Sequence, residues 1–417
     1  MQINISKLIN YFIVANVFGF PMVVVLNLYM GFSTSVGSIV FRALILVSSI
    51  LLIANAIKIK KQISIQSKLL IFFWIMYSVR LIYDLSFRQL YLNTQHYDSE
   101  NLIYLIAFFG IFTPMIAIIM NAKFIEFNSL SKLCLQVSFI QCVLVILGLY
   151  KLFGTNITKI AQQRHLFSEA ILGDNITGGS PLNPILVSRC GALLILLIVS
   201  NFLFQKNHLK PLVKFTAIPL GITLVILGGS RGPLITCLFV LFVMYFLFLY
   251  KNRLNTAKII KQLLIVFLVF YTLYFLYEMF SERIGIVERL NHSENTIDSG
   301  RTDHWFSAIN QFIDNPFFGD QIFDKHLWIY PHNLVLEAFM ALGVVGGILF
   351  MYLIFKSVMK YKQFLKYRLK SFSVYIIFIV FLMFGMSSGG LYNSIEFWIS
   401  ITLISIVDVN FKTNLKA

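Results

Sequence analysis

The chain has 417 residues, 58 % apolar and only 12 % charged, with 42 phenylalanines and a mean hydropathy of +0.80. This is far more apolar side chain than a soluble core of that length buries, which excludes a water-soluble enzyme or binding module and points to an integral membrane protein. A formal net charge of +16 would suggest nucleic acid in a soluble chain, but in a polytopic one it reflects lysines and arginines crowded into alternate loops, so no nucleic acid is expected as a partner.

Lys7 precedes the first apolar run and no small-residue cleavage site follows, so this run reads as a retained first helix. With about 20 apolar residues needed per crossing, about twelve candidate spans appear, near 8–26, 37–57, 68–87, 101–120, 130–153, 182–204, 212–228, 232–250, 262–280, 331–355, 371–390 and 392–410. Most of the 34 Lys and Arg fall in one set of alternate loops, for example Lys58, Lys60 and Lys61, Lys206 and Lys210, and Lys356 to Lys370. By the positive-inside rule both termini are then cytoplasmic, which an even span count requires. The expectation is an all-α polytopic membrane protein forming one transmembrane domain over 1–417. Two long outer loops interrupt it, 154–181 and 281–330.

The first outer loop ends in a Gly/Ser/Pro cluster, GDNITGGSP. The second is rich in carboxylates and contains a short amphipathic pattern, with Trp305, Ala308, Ile309, Phe312 and Ile313 at helical spacing after a cap at Thr302 or Asp303. Such a helix is expected to lie along the outer membrane surface. The four cysteines sit in apolar stretches without ligand spacing. The loop histidines His292, His304 and His326, with His332, show no metal-binding pattern either.

Ionisable groups inside spans are costly and mark sites by default. Arg42, Arg80 with Asp84, Arg189, Glu337 and Glu396 all fall in the outer half of the membrane under this topology, and with Arg231 they suggest a basic chamber open to that face. Arg189 can also pair with Glu337 or Glu396, and Arg80 with Asp84 at i, i+4. Arg231 stands in GGSRG, 228 to 232, at the start of a span whose N-terminal N–H groups point outwards. A helix N-terminus beside an arginine is an anion site, which suits a phosphate or pyrophosphate at the lipid boundary. His332, in PHNLVLE, lies at the start of another span, where the charged imidazole is disfavoured and the neutral ring can accept a proton. GMSSGG, 385 to 390, reads as close helix packing through small residues.

Three of these pieces stand in an order that resembles the O-antigen polymerase and ligase family of bacterial envelope glycosyltransferases: GGSRG, then SGR followed by NPFFG over 299 to 319, then PHNLVLE with LGVVGG over 331 to 347. The resemblance covers about a third of the chain and implies a GT-C-like helical fold. It further implies that Arg231 and Arg189, with Arg301 and Arg80 in support, bind the pyrophosphate or glycan of a polyprenyl-linked donor. His332 would serve the acceptor hydroxyl, and no cofactor is needed because the donor is already activated. On this reading the protein is a polymerase in the bacterial inner membrane, acting at the periplasmic face on polyprenyl-pyrophosphate-linked oligosaccharides as donor and acceptor. Its other partners are the membrane lipids and a chain-length regulator. A ligase that moves glycan to a lipid A core remains the nearest alternative, and a transporter or flippase is the alternative of a different class.

Overall fold

A computed structural model describes residues 5–32, 34–57, 63–87, 103–154, 182–205, 211–252, 301–325, 329–367 and 369–409. Among them there is helix and no strand. The reason lies in the solvent: hydrocarbon offers no hydrogen bonds, so each long apolar run must satisfy its own N–H and C=O groups, and a helix does this within one segment.

In chain order the helices are α1 (Ile5–Met30), α2 (Thr34–Ile57), α3 (Ile65–Ser86), α4 (Leu105–Met120, opening with a π turn), α5 (Phe127–Phe153), α6 (Pro184–Phe204), α7 (Pro211–Gly228), α8 (Arg231–Asn252), α9 (Arg301–Asp314), α10 (Leu334–Met359), α11 (Tyr361–Tyr367), α12 (Phe372–Ser388) and α13 (Ile395–Ser405). Among the described residues seven segments are long and apolar enough to cross a bilayer, namely α1, α2, α3, α5, α6, α8 and the stretch containing α10; α4, α7 and α12 are shorter apolar helices. Every expected span within the described residues therefore corresponds to a helix, while the one expected at 262–280 lies outside them. Residues 155–181 of the first outer loop and 281–300 of the second also lie outside.

The protein is a polytopic helical membrane protein. On α2, Val36, Val40, Leu44, Val47 and Leu51 are each more than half exposed, a continuous apolar surface that only lipid covers favourably. Packing in the interior is aromatic. Trp74 and Phe73 of α3 meet Trp398 of α13 and Phe350 of α10, with ring centroids 4.9 Å apart for Trp74–Trp398 and 5.1 Å for Phe73–Phe350.

Helix α10 breaks its backbone pattern at Gly343, where φ is 66°. Val344 N donates to Pro316 O at 2.7 Å, and the Met340 carbonyl it would otherwise serve accepts from Asp320 N at 2.9 Å. The Ala341 carbonyl accepts from Arg80 Nε at 2.8 Å. These groups freed by the kink are thus re-partnered by the NPFFG segment or by α3, as a backbone in an apolar setting requires. This docking fixes the loop, and with it α9, against the start of α10.

Candidate active site

The site forms around the last turn of α12. Asn333 caps α10, its Oδ1 accepting from Val335 N at 3.0 Å and Leu336 N at 3.2 Å, while its Nδ2 donates to Met386 O at 3.2 Å. One residue earlier, His332 has a φ of 55°, the sole non-glycine with positive φ among the described residues. Such a backbone costs about 1–3 kcal/mol and persists where its surroundings hold it, often at functional positions. Here the cap on one side and a hydrogen bond to the Ser388 backbone on the other hold the ring. Its Nδ1 is buried and has no hydrogen-bond partner among the described residues.

Two aromatic neighbours complete the surroundings of His332: Tyr330, with centroids 4.5 Å apart, and His304 of α9, at 5.7 Å. Arg301 opens α9 one turn before His304, and its charge acts on both rings. Burial, then Arg301, then His304 push the pKa of His332 down to about 4; the bond to Ser388 opposes them. His304 is lowered too, by burial first and by Arg301, against the opposing pull of Asp324 and Asp303. Both imidazoles are therefore neutral near pH 7.

The GGSRG turn approaches the same helix end. Gly229 adopts φ 55°, Gly228 lies so close to Ser188 Oγ and the Pro184 carbonyl that a Cβ would collide with both, and Ser230 N donates to Ser188 Oγ at 3.3 Å. The turn is thereby wedged onto the first turns of α6. A Cβ on Gly232 would stand 3.7 Å from Ser387 Oγ, so half-buried Arg231 starts α8 beside the residue preceding His332's partner, Ser388. Two motifs far apart in sequence thus adjoin through Ser387 and Ser388. In GMSSGG itself, Gly385 packs directly on Leu334, which agrees with the close packing expected of that segment.

Arg189, the neighbour of Ser188, stacks on Phe384 and Phe381 of α12 at 4.9 and 5.5 Å and pairs with Glu396 at 3.5 Å. It lines a cavity of about 170 Å³ together with Arg42, Asn16, Asn393 and Glu396; Arg231 and His332 are not in this lining. Of the two carboxylates open to Arg189 on sequence grounds, Glu337 is engaged elsewhere. Fully buried, it accepts from Tyr77 Oη at 2.9 Å and Leu391 N at 2.8 Å and so fixes the turn before α13. Arg80 is engaged with backbone and with its own helix, α3. It donates to the carbonyls of Ala341 and Phe318 and stands 3.6 Å from Asp84, which accepts from Ile322 N. Among the described residues no group of three or more His, Cys, Asp or Glu is arranged to hold a metal.

Residues 215–351 match a family model described as O-antigen ligase, a span containing Arg231, Arg301, His304, His332, Gly319 of the docked loop and Gly343 of the α10 kink. The chain carries an O-antigen ligase domain. This match over 215–351 supports the O-antigen polymerase and ligase family, and such a domain implies a glycan-transferring enzyme. Comparison with curated proteins and with solved structures gives no match.

The domain's boundaries leave out three contributors to the geometry: Arg189, Glu396 and the Ser387–Ser388 step. Reasoning from sequence passed over His304 as a neighbour of His332. The signal was present, because Arg301 and His304 stand three apart on an amphipathic helix and so share a face.

Proposed function

We propose that the protein is a polymerase that joins polyprenyl-pyrophosphate-linked oligosaccharide repeat units at the periplasmic face of a bacterial inner membrane. The observation that carries the reading is the meeting of Arg301, His304 and His332 at the helix end that also abuts the Arg231 turn. An acceptor hydroxyl gives its proton to Nδ1 of His332 as its oxygen attacks the donor's anomeric carbon. The bond from that carbon to the pyrophosphate breaks, and the leaving diphosphate keeps the electron pair. Direct attack inverts the anomeric centre. Arg231, with Arg301, stabilises the charge growing on the leaving oxygen, where water is excluded and oriented donors act most strongly. A pKa near 4 makes His332 a weak base in the empty site, but the incoming diphosphate adds negative charge beside it and raises its affinity for a proton.

The description of the matched family favours a second reading, transfer of finished glycan to a lipid A core. Purified protein incubated with lipid-linked repeat units alone separates the two. A product ladder supports polymerisation, and transfer only after lipid A core is added supports ligation. Formation of no glycosidic bond in either reaction overturns both and leaves transport.

A further inference from the structure

A second polar hollow, of about 300 Å³, lies at the opposite end of α6 from the site just described. Ser188, which holds the GGSRG turn, and Gln205, which lines the hollow, are separated by nearly the whole helix, about 25 Å at 1.5 Å per residue. Lys132, Asn128 and Gln136 face the hollow from the first turns of α5, Asn201 and Gln205 from the end of α6, and Lys370 from the turn before α12. Gln205 ties these elements together, its Nε2 donating to Ser131 Oγ at 2.9 Å and Ser373 Oγ at 2.8 Å.

We propose that this hollow is a binding site for the phosphate headgroup of an anionic phospholipid. Two ammonium groups from different elements point to one cavity, and among the described residues neither has a carboxylate partner. Glu126, the nearest carboxylate in sequence, is not in the lining. The N-termini of α5 and α12 also meet here, and neither receives a side-chain cap, so their dipole ends add positive potential. The apolar surroundings favour a lipid over a soluble anion. Ile140 lies one turn beyond Gln136 on α5 and Phe202 beside Asn201 on α6, 48 % and 64 % exposed, on span surfaces that acyl chains cover. A phosphodiester seated between the lysines would run its chains along these side chains. The lysine-rich end holding the hollow is the one that the loop charge pattern assigns to the cytoplasm, where anionic lipids attract such pockets.

The test is native mass spectrometry of the full chain in detergent with phosphatidylglycerol, phosphatidylcholine or inorganic phosphate. A variant carrying Lys132→Gln and Lys370→Gln is compared with the original protein. Phosphatidylglycerol should bind roughly tenfold or more tightly than phosphatidylcholine, and the double variant should lose that preference while keeping its unfolding temperature without lipid. Equal binding of the two lipids, or an unchanged preference in the variant, overturns the site. Inorganic phosphate competing at the affinity of phosphatidylglycerol would show a soluble-anion site and overturn the lipid assignment. Should the variant misfold, a salt series on the original protein decides: a preference that does not weaken as salt rises overturns the proposal. None of these readouts depends on glycan transfer.

Discussion

The imidazole rings of His304 and His332 meet edge to face with centroids 5.7 Å apart, and Arg301 stands one turn before His304 on the same helix. Burial disfavours the charged form of both imidazoles first and the nearby guanidinium adds to it, so both rings are held neutral.

The stability consequence has a definite sign. As pH falls below the ordinary histidine value near 6.5, the unfolded chain takes up protons that folded His332, held at about 4, refuses. The contribution of neutral His332 is thus complete above about 6.5 and is lost progressively towards pH 4; His304 acts in the same direction. We expect the unfolding temperature of the protein in detergent to drop over that window, and to drop less in His332→Gln. A flat profile in the original protein would contradict this.

The same electrostatics shape the reaction. The acid limb of kcat/KM, which reports free enzyme, should lie below about pH 6.5, while the limb of kcat should lie higher because bound diphosphate offsets Arg301. Arg301→Gln removes the largest charge acting on His332, so its kcat/KM limb should move up. The check is a pH–rate profile on a defined lipid-linked donor; identical limbs for the two parameters would remove the diphosphate from the neighbourhood of His332.

Arg231→Ala should reduce transfer roughly 100-fold or more while the protein still inserts and purifies, the usual scale for losing one donor to a developing oxyanion. Arg231→Lys should recover little of that, since an ammonium cannot grip a phosphate through two parallel bonds. Near-normal product formation by either variant would move the leaving-group role elsewhere.

Much of this architecture was legible because the bilayer imposes it. Span length, loop charge and the position of a helix start follow from local composition, so α6, α8 and α10 were found with Arg189, Arg231 and His332 near their N-terminal ends. Partner choice among buried charges was not legible. Glu337 and Glu396 were equally open to Arg189, and what separates them is a tertiary contact, Tyr77 and the Leu391 amide occupying Glu337. Likewise, the arginines expected in one chamber divide: Arg301 joins His332, Arg189 lines a cavity with Arg42, and Arg80 bonds to backbone. Periodicity reports which face of a helix is apolar; it does not say which neighbour that face meets.

The docked NPFFG segment gives the last prediction. Gly319 and Gly343, at φ 68° and 66°, lie back to back: a Cβ on Gly343 would come within 2.6 Å of Gly319 N and closer still to the Phe317 carbonyl, and a Cβ on Gly319 would strike the Ala341 backbone. Neither neighbour is a flexible side chain that can swing aside. Gly343→Ala therefore combines left-handed strain with a backbone clash, a loss of about 2–4 kcal/mol. Arg80→Ala strips bonds from the Ala341 and Phe318 carbonyls beside the same junction and should cost about 1–3 kcal/mol, with donor affinity nearly unchanged if Arg80 acts only on the loop. Unfolding temperature in detergent and donor binding, measured together, separate the two roles. A stable Arg80→Ala protein that no longer binds donor would return Arg80 to the substrate, whereas a destabilised protein that binds normally fixes it as the clasp holding α9 and its Arg301–His304 pair over His332.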